Sequence, residues 1–183
     1  MSDQATGKPV ITHRPVLAAR KPVIGTGVSI EAIPEGHVIH VLAGKGAENL
    51  APFLAEHAPE QALFAVRAVS PGQWFIVGKK PLSNSESTAL ISTLEPKADC
   101  VDQSHGRVRI RVSGSKVEQM LAKGTAVDLA PTAFPLGHAT TTLIGHVAAH
   151  ITRTDAESFE IIVLRGFAES LWDDFETMGR EFI

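Results

Sequence analysis

Three arginines alternate with three β-branched residues in the run Arg107-Val108-Arg109-Ile110-Arg111-Val112. A period of two is the signature of an extended strand: Val108, Ile110 and Val112 fall on one face and the arginines on the other. The run lies inside VDQSHGRVRIRVSG, Val101 to Gly114, and SKVEQMLAKGTAVDL follows it. Together they read as a strand, a tight glycine turn and an amphipathic helix. One face of this strand belongs to a core and the other is strongly cationic. Two readings of the cationic face stand: a solvated outer face of a half-buried sheet, or a surface that meets something anionic or another chain.

Elsewhere the pattern alternates strands with short helices. HVIHVLA, His37 to Ala43, is a short strand. AENLAPFLAEHA is a helix limited in length by Pro52. ALFAVRAVSPGQWFIVG places two strand-like runs about Pro71-Gly72, a hairpin signal. In SNSESTALISTLEPKAD, Ser83 and Glu86 have the spacing of a capping box, Leu90, Ile91 and Leu94 form an apolar stripe, and Pro96 stops the helix. Cys100 to Val112 reads as one strand and Ser115 to Lys123 as a helix closed by Gly124. Thr140 to Thr152 reads as a strand, TRTDAES as a polar hairpin loop and Ser158 to Leu164 as another strand. Arg165 to Met178 closes the chain as a helix with Phe167, Leu171, Phe175 and Met178 on one stripe. The order predicts an α+β domain, residues 37–183, with a mostly antiparallel sheet and helices packed on one face. Residues 1–36, rich in proline and glycine without helical period, read as an extended leader that runs over a surface.

Composition narrows the function. The formal charge of −3 over 183 residues is not that of a polyanion binder, and a chain with no tyrosine offers a poor aromatic platform for nucleic acid. No long apolar run suggests a signal peptide or membrane span. The single cysteine, Cys100, excludes an internal disulfide and a cysteine zinc cluster, which fits a reducing, cytoplasmic setting.

Three groupings invite a chemical reading, and each has a plainer one. Asp102, Ser104 and His105 supply hydrolase residue types, but as sequence neighbours they are better read as a turn in which Asp102 and Ser104 bond local amides. His37 with His40, and His146 with His150, fall in strands. A spacing of three puts side chains on opposite faces, and a spacing of four separates them by about 13 Å. Gly25-Thr26-Gly27 and Gly44-Lys45-Gly46 match neither a dinucleotide fingerprint nor a P-loop. The final helix carries Trp172 and Phe175, read first as core on the amphipathic pattern, while the apolar tip Phe182-Ile183 is a candidate contact with another subunit. No catalytic, cofactor-binding or metal-ligating residue is assigned.

Several ordered segments carry a family resemblance: PGQWFIVG, DQSHGRVRIRVSG, LAKGTAVDL, PTAFPLG and RGFAESLW, spanning Gln73 to Trp172. Together they resemble the gamma subunit of heterotetrameric sarcosine oxidase. The resemblance implies a fold like the folate-binding domain of glycine-cleavage aminomethyltransferases. It also implies a noncatalytic role that stabilises a complex with alpha, beta and delta subunits. NAD and tetrahydrofolate are then expected in the alpha chain, FAD and FMN in the beta chain and zinc in the delta chain, with no cofactor here. The complex would oxidatively demethylate sarcosine, or in related assemblies another N-methyl amino acid such as N-methylglutamate, as a dehydrogenase. A stand-alone folate-binding module is the other reading. Within the resemblance, Arg107, Arg109 and Arg111 are expected to pair with partner carboxylates; Trp172, Phe182 and Ile183 are the other interface candidates, read from the final helix and its tip.

Overall fold

In the computed structural model, which describes residues 13–47 and 49–183, the chain is α+β and its strand pairings are antiparallel. In chain order the elements are β1 Val23–Ile24, β2 Ser29–Ala32, β3 Val38–Ala43, α1 Ala51–His57, β4 Val66–Ser70, β5 Gln73–Val77, α2 Asn84–Leu94, β6 Ala98–Asp102, β7 Arg107–Ser113, α3 Val117–Leu121, β8 Ala139–Ile144, β9 Val147–Asp155, β10 Ser158–Leu164 and α4 Ala168–Gly179. They form two sheets, a six-stranded one ordered β1-β2-β7-β10-β9-β8 and a four-stranded one ordered β4-β5-β3-β6.

Each sheet buries one face under helices. Ile110, Val112, Phe159, Ile161 and Ile151 of the larger sheet pack with Met120 and Leu121 of α3 and Leu171, Trp172 and Phe175 of α4. Ile39, Val41, Trp74 and Ile76 of the smaller sheet pack with Leu54 of α1 and Leu90 and Leu94 of α2. The opposite faces meet each other: Val38, Phe75 and Val77 of the smaller sheet close on Ile162 of β10. The result is two α/β layers stacked sheet to sheet.

Local chemistry accounts for most boundaries. Ser83 caps α2 by accepting the Glu86 amide, while Glu86 returns a bond to the Ser83 amide at 2.8 Å, so the capping box forms. Gly72 turns the β4–β5 hairpin with φ +73, the left-handed region that glycine tolerates.

Several expectations shift. Cys100 to Val112 is not one strand: residues 103–106 turn the chain from the four-stranded to the six-stranded sheet. The break falls at Asp102-Gln103-Ser104-His105-Gly106, a stretch with no apolar residue that the one-strand reading passes over. Thr140 to Thr152 is likewise split, with Gly145 (φ +58) turning β8 into β9, and strand continues through most of the segment read as a polar loop. Of the segment read as a leader, residues 13–36 are built into the fold. β2 pairs with β7, β1 with β2, and Leu17 is buried in the larger core. Residues 1–12 lie outside the described residues. Phe167 belongs to a 3-10 turn before α4 and is exposed, whereas Leu171 and Phe175 hold the expected buried stripe. Among the described residues, no helix is long and apolar enough to cross a membrane.

Candidate functional site: a charged seam between two sheets

The arginine face of β7 is turned inward, onto the other sheet. Arg109 is 6% exposed, and its Nε donates to Glu160 Oε1 of β10 at 2.6 Å. Arg67 of β4, in the opposite sheet, is buried too and donates from Nη1 to the same oxygen at 2.9 Å. One carboxylate oxygen therefore holds two guanidinium groups, one from each sheet. The remaining bonds tie both arginines to backbone: Arg67 Nε to Phe64 O at 3.0 Å and Arg109 Nη1 to Gly78 O at 2.6 Å. Charge-assisted bonds of this kind are the strong ones, and a buried carboxylate with two cationic donors stays ionised. Burial alone would raise the Glu160 pKa, but Arg67 and Arg109 outweigh it and hold it at about 2.

The rest of the seam is aromatic and imidazole. Phe75 lies between His40 (ring centroids 5.1 Å apart) and His150 (5.2 Å, edge-on), with the Arg107 guanidinium 5.2 Å from its centroid. His150 bridges the sheets through Nε2, which donates to Ala68 O at 2.9 Å. Desolvation pushes its pKa down to about 4, so it is neutral at physiological pH. Arg107 is half-buried, donates to Gln103 Oε1 at 2.8 Å, and is depressed by desolvation. Arg111, at the rim, pairs with Glu31 of β2.

A glycine fits this layer closely. A Cβ on Gly78 would lie 1.9 Å from the His37 ring, which is itself buried and fixed by a 2.7 Å bond between Nδ1 and Lys80 O. Gly78→Ala is expected to lower stability by about 1–3 kcal/mol, the usual cost of overpacking, as read from the urea midpoint.

The structure separates the six residues expected at an interface. Arg109 and Trp172 are interior residues of this chain. Arg109 serves the seam, and Trp172, 0% exposed, packs in the larger core with Nε1 donating to Glu176 Oε1 at 2.9 Å. Arg107 and Arg111 keep partial exposure at the seam's edges. Phe182 packs in part against the larger core, and Ile183 is 45% exposed beside the β1–β2 turn. Alternation located the arginine face correctly. Its burial was missed because Arg67 and Glu160, the residues that neutralise it, lie far away in sequence. Glu160 was legible only as a lone charge on the seam-facing side of an otherwise apolar strand.

The other groupings have structural work. Ser104 donates to Asp102 Oδ1 from its amide (2.8 Å) and hydroxyl (2.5 Å), and its Oγ accepts the Val38 amide at 3.0 Å. That is a turn closed by its own side chains. His105 points elsewhere, with its ring 5.8 Å from that of His13. Burial raises the Cys100 thiol to about 11, which leaves it a thiol at neutral pH. Among the described residues, no three His, Cys, Asp or Glu side chains gather to hold a metal ion.

Comparison with known proteins gives this architecture a context. Heterotetrameric sarcosine oxidase from Corynebacterium sp. U-96 contains a chain of the same fold, with a TM-score of 0.77 at 18% identity, over 93% of this chain and 96% of that one. The glycine cleavage system aminomethyltransferase T from Bartonella henselae superposes with a TM-score of 0.59 at 14% identity; 83% of this chain covers 46% of that longer one. Among curated proteins no sequence matches. The model of the sarcosine oxidase gamma subunit family matches residues 64–179, from the turn that presents Arg67 through β7 and β10, which carry Arg109 and Glu160, to the end of α4; Glu31, His37 and His40 of the seam lie before the match. With well over half of the sequence matched and the fold in agreement, the chain belongs to the sarcosine oxidase gamma subunit family.

Proposed function

We propose that this chain is the noncatalytic gamma subunit of a four-chain, flavin-dependent sarcosine oxidase, and that it works by holding the assembly together. The family match across residues 64–179 carries this reading. The side chains that invite a catalytic role support it, because they are committed inside the fold: Ser104 and Asp102 to a turn, His37 and His150 to backbone carbonyls, Cys100 to a protonated state. The oxidative demethylation of sarcosine then belongs to partner chains. FAD and FMN reside in beta, NAD and tetrahydrofolate in alpha, and zinc in delta.

The test is omission. Co-expression of the other three chains with and without this one should give an oxidase that turns over sarcosine in both preparations, with the yield of assembled, flavin-loaded complex falling at least severalfold when this chain is left out. Sarcosine turnover by the purified chain alone would contradict the reading. So would micromolar tetrahydrofolate binding by the isolated chain, which would favour a folate module.

The exposed apolar tip is the contact proposed for a partner. Ile24 is 82% exposed, and Ile183 sits at the same end, with its Cα against Gly25. Ile24→Asp combined with Ile183→Asp should leave the chain's own stability, read from urea unfolding, within about 0.5 kcal/mol, as surface changes do. The double variant should nevertheless reduce co-purification of partner chains by tenfold or more. Arg111→Glu should also weaken assembly, whereas reversal at Arg109 would unfold the chain before testing any interface.

A further inference from the structure

The mouth of the seam opens into a cavity of about 400 Å³ whose wall includes Arg67, Arg109 and Glu160. Two observations concern its charge. Four cations line it, Arg67, Lys79, Arg109 and Arg111, against two carboxylates, Glu60 and Glu160. Counting Glu31, which pairs with Arg111 from outside the wall, one positive charge remains unmatched. The surplus sits deep, because Arg67 and Arg109 share a single oxygen of Glu160. The second observation concerns donors. Each of these arginines uses Nε and Nη1, and among the described residues neither Nη2 has a hydrogen-bond partner. Neither Nη2 is sealed from solvent space either, since neither is among the fully buried unpaired atoms. Both side chains, more than nine-tenths buried, therefore line the same cavity, and each keeps an Nη2 without a partner among the described residues. The same lining includes the apolar Leu63, Phe64, Val77 and Ile33.

We infer that this cavity is a binding site for a carboxylate on a small apolar body, held by the free N–H groups of Arg67 and Arg109 with the body against Leu63 and Phe64. Arginine donors at a desolvated site favour a planar carboxylate over a spherical anion such as chloride. The carboxylate arrives either as a free organic acid or as an acidic side chain of a partner chain, and both satisfy the same chemistry.

Benzoate is the probe, titrated into the full chain by calorimetry at constant ionic strength, with benzylamine as the control of matching body and opposite charge. Benzoate should bind saturably and benzylamine should not. Arg67→Met removes the surplus charge while leaving the Glu160–Arg109 pair, and should weaken benzoate at least tenfold, roughly the loss of one charge-assisted bond. Glu160→Gln adds a second surplus charge and should tighten benzoate severalfold even though the variant is less stable. A residue with only a structural role would not produce that opposite ordering of affinity and stability. Repeating the titration on the assembled complex separates the sources. Retained binding identifies a free acid, and binding lost only on assembly identifies a partner carboxylate. Equal binding of benzoate and benzylamine by the wild-type chain, no saturable binding at all, or unchanged benzoate affinity in Arg67→Met would each overturn the inference; the first two need no variant to fold.

Discussion

Glu160→Leu is expected to destabilise the chain by about 3–5 kcal/mol, the cost of removing one partner from a buried ionic cluster and leaving the other charges unpaired. Two arginines are involved, Arg67 and Arg109, and they belong to different sheets. The loss should therefore appear in equilibrium denaturation as a large drop in midpoint, and hydrogen exchange should show β4 and β7 losing protection together. The pH dependence carries the same signature. Folded His150 titrates at about 4, against 6.5 unperturbed. As pH falls below 6.5 the unfolded chain takes up a proton that the folded one refuses, so stability declines until about pH 4. Folded Glu160 titrates at about 2, against 4.5 unperturbed. Its contribution is fully present above 4.5 and is lost as pH falls from there through 2. Each limb is of the order of 3 kcal/mol. Urea midpoints from pH 7 to pH 2.5 should thus fall in two successive stages, and Glu160→Leu should shrink the lower one, leaving the share of Glu60 and Glu86, whose carboxyls hydrogen bonds also hold below the usual range. A wild-type profile flat between pH 6 and 3 would contradict this account of the seam.

Trp172→Ala is expected to cost about 3–5 kcal/mol, the range for emptying a large aromatic site in a packed core. The indole is fully buried among residues of the larger core, and its N–H is satisfied by Glu176 one turn along α4. The decisive feature is where the loss is seen. The isolated chain should lose the full amount, measured as a fall in urea midpoint without any partner present. A variant that keeps the stability of the isolated chain but fails to assemble would place Trp172 at an interface instead.

How much of this was written in the sequence depends on the range of the interaction. Local devices were legible: the Ser83–Glu86 capping box, the Gly72 hairpin and the segregation of Val108, Ile110 and Val112 from the arginines all depend on residues a few positions apart. The two-sheet architecture was not. Alternation tells which side chains share a face but not what covers that face, and the arginine face is covered by β4 and β5 from the other sheet. The break at residues 103–106 was legible in its polar, turn-forming residues, but not the change of sheet: only the pairing partners, β3 for β6 and β2 and β10 for β7, show it. The strands at the N-terminal end are two and four residues long, too short to show any period among prolines and glycines. In the candidate site, Arg109 was found for its charge and misplaced in its environment. Glu160 and Arg67, which set that environment, stand 51 and 93 residues from their partners in the seam.

The account as a whole rests on the chain acting as one subunit among several. Native mass spectrometry of a tagged copy purified from its host tests that most directly. The expected result is a single four-chain species, each subunit present once, whose visible absorbance is that of bound flavin. A chain recovered as a monomer free of flavoprotein, under salt conditions where comparable complexes survive, would contradict it.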